Sequence, residues 1–120
     1  MDKRKELKQK YKEMDKPMGI IQVKNNLNGK VFISSTANLK GKINSQRFQL
    51  EMGSHKNAEL QMEWNRFGEE NFSFEVLEVL DPVKDTEHNY SEDLEVLEEM
   101  WLERLKPYGD RGYNKQGKKI

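Results

Sequence analysis

Cysteine is absent from the 120 residues. That single absence removes disulfide frameworks, cysteine zinc sites, iron–sulfur clusters and thiol catalysis together. Apolar residues are also sparse: 34% of the chain is hydrophobic and 35% is charged. A core built from this composition must be lean, with ends free to fray. No run approaches eighteen apolar residues, which excludes a membrane-spanning helix. The opening MDKRKELKQK has no apolar stretch of the kind a secretory signal needs. A soluble, cytoplasmic protein with no membrane partner is the expectation. The length suits one core and is too short for two substantial ones.

An excess of either charge is missing as well, because the formal net charge is zero. The charges are nevertheless segregated. Residues 1–50 carry 12 Lys/Arg against 4 Asp/Glu, residues 51–110 carry 5 against 17, and residues 111–120 add four basic residues and no acid. Such separation fits a two-sided molecule, a self-pairing one, or two halves that neutralise each other across the fold. A nucleic-acid binder usually has a clear basic excess. Here phosphate contacts are expected only from the basic front half and the tail.

Periodicity gives the element order. Leu7, Tyr11 and Met14 recur at helical spacing among charges, so residues 2–14 read as a basic helix that Pro17 ends. Gly19–Lys24 is a β-branched run, and Asn28-Gly29 signals a hairpin into Lys30–Ser35. Apolar residues on both faces of that second run (Val31 and Ile33 against Phe32) predict a central strand. Asn38 is placed to cap a helix over Leu39–Met52, broken at Gly53 and Ser54. A second helix is predicted from about Lys56 to Phe67 on the stripe Leu60, Trp64, Phe67, with Gly68 closing it. Phe72–Leu80 reads as a third strand. After a polar loop over 81–90, Ser91 is the expected cap of a last helix with Leu94, Leu97, Trp101 and Leu105 inward and Pro107 as its stop. The order α-β-β-α-α-β-α predicts an α+β domain with a small three-stranded sheet.

Three stretches carry a family resemblance: GIIQVKNNLNGKVFISSTANLKGK, GSHKNAELQMEWNRFGEENFSFEVLE and LEEMWLERLKPYGDRGYN. From Gly19 to Asn114 the chain resembles a GIY-YIG nuclease domain of the homing-endonuclease-like subset. The resemblance implies a three-stranded antiparallel sheet flanked by helices over residues 18–114, with an added basic helix over 1–17 and a basic tail over 115–120. It also implies phosphodiester hydrolysis with one divalent metal, magnesium or manganese. In that chemistry a tyrosine hydroxyl handles the attacking water, an arginine grips the phosphate and a glutamate holds the metal.

Carried over residue by residue, the family pattern is broken here. The two tyrosine positions fall on Ile21 and Phe32, so both hydroxyls are lost. The glycine after the second falls on Ser34. The arginine position holds Lys42, which keeps a charge without the planar fork. One histidine position holds Gln46; another retains His55. The metal glutamate is retained as Glu98, and the closing asparagine as Asn114 after Tyr113. On residue context alone, Glu98 is a solvated carboxylate on an acidic helix. In the same reading His55 is a surface or capping side chain after a helix end, and Asn114 a maker of backbone hydrogen bonds in a glycine-rich turn. Ile21 and Phe32 read as core residues.

Three functions are compatible with these residues. The first is a catalytically degenerate domain that keeps a nucleic-acid-binding or regulatory role through Lys24, Lys30, Lys40, Lys42 and Arg47, with DNA as the inherited partner. The second is an active metal-dependent DNA endonuclease using Glu98, Lys42, His55 and Asn114. The third is a protein-interaction module or homodimer that pairs basic with acidic faces.

Overall fold

A computed structural model describes residues 17–82 and 88–115. The expected helix over 2–14 and the end of the basic tail lie outside the described residues. Three strands, β1 (Met18–Asn25), β2 (Val31–Thr36) and β3 (Phe72–Leu80), form one antiparallel sheet in the order β2-β1-β3. Three helices, α1 (Leu39–Met52), α2 (Ala58–Phe67) and α3 (Ser91–Leu105), flank it. No helix among the described residues is long and apolar enough to cross a membrane.

The central strand is β1, not β2. Residues 18–23 of β1 are all buried, and each fully buried Ile or Val of that run contributes about 1.5–3 kcal/mol. Alternation along a strand sends successive side chains to opposite faces. Ile20 packs with Ile33 and Leu97 beneath α3. Ile21 packs with Leu39 and Val79 under α1, and Val23 with Leu50, Leu60 and Trp64 under α1 and α2. The edge strand β2 has apolar residues on both faces for a different reason: helices cover both sides of the sheet, so even its edge is sandwiched. Gly19 allows the central pairing, because a Cβ there would lie 1.9 Å from the Glu78 carbonyl oxygen.

Local signals account for the helix ends. The Asn38 side chain accepts from the Gly41 N–H, and Gly53, left-handed at φ 75°, closes α1 on the Gln49 and Leu50 carbonyls. Helix α2 begins two residues later than its stripe suggests, because Asn57 caps it by accepting from the Leu60 N–H. Ser91 is not the cap of α3. It is the helix's first residue, and the Asn89 side chain accepts its N–H at 2.9 Å.

Candidate functional site

The outer edge of β2 would expose unpaired backbone groups, a liability for any sheet. Here the described residues cover it. Tyr113 N–H donates to the Val31 carbonyl at 2.9 Å. The Asn114 side chain bridges Ile33, accepting its N–H at 2.8 Å and donating to its carbonyl at 2.9 Å. Two residues along, Glu98 on α3 accepts the Ser35 N–H at 2.9 Å. Glu98 and Asn114 therefore sit on one strand edge, each holding β2 in place. The carboxylate is half-buried rather than a freely solvated group of an acidic helix. Asn114 does make backbone hydrogen bonds, but to β2 rather than within its own turn.

On the α1/α2 face of β2, the structure gathers Phe32, Lys42, Gln46 and His55. His55 is buried, not a surface residue, and its ring meets Phe32 edge-on at 5.5 Å between centroids. Its Nδ1 accepts the Asn57 N–H at 3.0 Å. In the neutral ring Nε2 then carries the proton and donates to the buried Gln46 carbonyl oxygen. Burial, together with the nearby Lys42 charge, holds the His55 pKa below its ordinary value. The ring is thus neutral with both nitrogens engaged. Gln46, where the family pattern has a histidine, acts as its partner. Gln61 completes the network by accepting the His55 N–H at 3.0 Å and donating to the Leu50 carbonyl at 2.9 Å.

The two positions that would carry phenols stay apolar. Ile21 is fully buried, and Phe32 packs against the cluster of Val23, Leu60 and Trp64. Ser34, paired across the sheet with Ile21, has a buried hydroxyl oxygen with no hydrogen-bond partner among the described residues.

A phenol is present on this face, but elsewhere. Tyr113 donates its hydroxyl to Glu63 Oε1 at 2.6 Å and accepts from Asn25 Nδ2 at 3.1 Å. Burial, then the bond to Glu63, drives its pKa far above the ordinary tyrosine value. Asn25 is four residues from Ile21 along β1, about 13 Å at strand rise. Glu63 also accepts from Asn28 at 2.8 Å and meets Lys30 at 3.4 Å. Sequence reasoning passed over Glu63 as one more helix acid. The available signal was its spacing, since residues three and four apart on a helix are neighbours: Glu63 follows Leu60 by three and precedes Phe67 by four. Gln46, three after Ile43 and four before Leu50, carried the same signal.

The five basic residues expected to contact nucleic acid do not share one surface. Lys40 and Arg47 are exposed on α1, with the Arg47 guanidinium 4.7 Å from the Phe74 ring centroid. Lys42 is half-exposed beside His55. Lys24 faces the α3 side of the sheet. Lys30 is tied to Glu59 at 2.5 Å and to Glu63.

A metal fits this site only in a limited form. Among the described residues no group of three or more His, Asp or Glu side chains stands together. Glu98 is a single carboxylate with one oxygen on Ser35. One carboxylate suits a magnesium ion that keeps most of its waters; it does not suit an all-protein cage of the zinc type.

The three-stranded sheet, its helices and the residues along β2 define a GIY-YIG-like fold. In structure and sequence the chain is similar to the catalytic domain of the homing endonuclease I-TevI, with a TM-score of 0.67 and 27% identity over 83% of this chain and 99% of that one. A glutamate-to-alanine variant of the catalytic domain of the intron endonuclease I-TevI matches at a TM-score of 0.66 and 28% identity, covering 82% of this chain and 92% of that one. Over most of its length the chain is thus similar, in fold and in sequence, to a GIY-YIG homing-endonuclease catalytic domain. No family model and no curated protein sequence matches it.

Proposed function

We propose that this domain binds DNA and does not cleave it at a useful rate. The observation that carries the reading is the absence of a phenol at two positions: Ile21 is buried hydrocarbon and Phe32 ends in a plain ring. The neutral, doubly bonded His55 offers no replacement base, and the Tyr113 phenol is committed to Glu63. A positioned general base is typically worth about 10²–10⁴ in rate, and one transition-state donor about 10²–10³. Lys42 supplies charge without the bidentate grip of an arginine. Losses within one site do not multiply cleanly, yet a deficit of several orders of magnitude follows.

Binding on this reading uses the exposed cations of α1, Lys40 and Arg47, with Lys42 at its edge. The test is binding to duplex and branched DNA across a salt series. Affinity that falls steeply with salt is expected, because each neutralised phosphate releases counterions. No binding at low salt, or a flat response, overturns the reading.

A second reading, an active endonuclease, has one observation in its favour. The second carboxylate oxygen of Glu98 has no partner among the described residues and could hold a hydrated magnesium or manganese ion. Such an ion, when bound, would neutralise the phosphate and stabilise the leaving oxygen. This chain's own residues would then hold the ion (Glu98), place a charge near the phosphate (Lys42) and brace the strand (Asn114). Metal-dependent nicking of a supercoiled plasmid favours this second reading.

A further inference from the structure

A groove of about 500 Å³ opens on the α3 side of the sheet, away from Phe32 and His55. That volume is within the range of small-ligand sites, roughly 300–1,000 Å³. Its walls are Val31, Leu77, Trp101 and Leu105. A bulge puts both Leu77 and Glu78 on this face: Ile20 pairs with Glu78 and Ile21 with Val76, which leaves Leu77 as the extra residue. Bulges re-aim side chains in this way, often beside functional sites. Trp101 is half-buried and fixed, its indole N–H donating to Glu78 at 2.8 Å. Lys24 and Arg111 stand at the groove with no ion pair among the described residues, and Asp110 lies beside them. Gln22 donates its amide to Glu75 at 3.2 Å, which leaves its carbonyl oxygen as an acceptor in the groove.

These groups ask for a ligand with an anion at one end and a flat apolar body whose rim donates hydrogen bonds. An aliphatic acid lacks the ring and the donors. A simple inorganic anion leaves the apolar walls and Asp110 unmatched. We propose that the groove holds one unpaired, amino-bearing nucleotide of a nucleic-acid strand. The phosphate lies on Lys24 and Arg111, the base lies against Trp101 and Leu77, and its amino group donates to Asp110 or Gln22. Aromatic side chains with flanking cations are the usual means of holding unpaired bases. The assignment uses no residue of α1 and does not depend on whether the domain cuts DNA.

The experiment is a tryptophan-emission titration of the full chain with a deoxyadenylate trinucleotide, too short to reach both faces of the sheet. A saturable change is expected that disappears in Trp101→Phe. The double variant Lys24→Ala/Arg111→Ala should weaken it at least tenfold with the circular dichroism spectrum unchanged, whereas Lys56→Ala, which removes an exposed cation just ahead of α2, should leave it within twofold. A thymidylate trinucleotide, which lacks the amino group, should bind several-fold more weakly. Absence of a saturable change overturns the proposal. So does equal weakening by Lys56→Ala, and so does adenosine monophosphate binding as tightly as the trinucleotide, which would make the ligand a free nucleotide instead of a strand.

Discussion

The sheet face beneath α1 and α2 ends differently at its two extremes. At the Asn25 end, Asn25, Asn28, Lys30 and Tyr113 converge on Glu63, so the hairpin turn, α2 and the closing segment are joined through one carboxylate. At the Ile21 end, Ile21 is fully buried and the Ser34 hydroxyl opposite it has no partner among the described residues, while Phe32, opposite Val23 between the two ends, closes in a plain ring. One end keeps its phenol for architecture. On the proposed reading, the positions that the resemblance assigns to reacting phenols hold hydrocarbon instead. On that reading, frame and chemistry are separable on a single sheet.

The largest effect should come from breaking the Asn25 end. Glu63→Ala leaves the Tyr113 hydroxyl proton without its acceptor and takes one of two partners from the buried Asn25 amide. At about 1–3 kcal/mol per unsatisfied buried group, a loss of about 3 kcal/mol in urea unfolding is expected; a loss under 0.5 kcal/mol would dissolve the contrast between the two ends. The same carboxylate gives a pH signature. Burial raises its pKa, but hydrogen bonds from Tyr113 and Asn28 and the Lys30 charge outweigh that and hold it below its ordinary 4.5. Its contribution is present above pH 4.5 and is lost as pH falls through the lower folded value. Glu63→Gln should flatten stability against pH in that acid range.

Next in size is the β2 edge. Glu98→Ala frees the Ser35 N–H and should cost about 1 kcal/mol. Glu98→Gln keeps an acceptor and should melt within a degree or two of the parent, in metal-free buffer. If both variants melt alike, the edge-holding role of Glu98 is wrong.

His55 should produce a smaller, pH-dependent effect. Its folded pKa lies below the ordinary 6.5, so the unfolded chain takes up the proton first as pH falls. Full stability is present above 6.5 and declines as pH drops from there toward the folded value. Thermal melts from pH 7.5 to 5.5 should show that decline in the parent and less of it in His55→Gln.

The smallest effects separate the surface cations. Arg47→Ala should lower the salt slope of DNA binding by about one, the value for one lost phosphate contact. Lys30→Ala should leave the slope unchanged and reduce stability instead, because Lys30 is bound to Glu59 and Glu63. A reversed pattern would put the DNA face on the hairpin.

Much of this was legible in the sequence, and the exceptions have physical causes. The β-branched run at Ile20–Val23 and the stripe Leu60, Trp64, Phe67 place β1 and α2 to within two residues through periods that backbone geometry enforces, and α1 and β3 appear at their expected bounds. Strand order was not legible, because apolar residues on both faces mark a sandwiched strand whether it is central or at an edge. The cap of α3 was misplaced by one residue: Tyr90 holds the N-cap position, and the Asn89 side chain reaches forward to the Ser91 N–H. That Ile21 and Phe32 carry no hydroxyl is plain in the sequence; that they stand at reacting positions is what the resemblance implies. The partners of Glu98, His55 and Tyr113 could not, for they join residues 63, 9 and 50 positions apart.

The central claim is that the site lacks the group that activates water. The most direct measurement is the rate of supercoiled-plasmid nicking at excess protein over a magnesium and a manganese titration, for the parent and Glu98→Ala side by side. Identical background rates in both proteins at every metal concentration are predicted. Metal-dependent nicking by the parent that vanishes in Glu98→Ala would contradict the account.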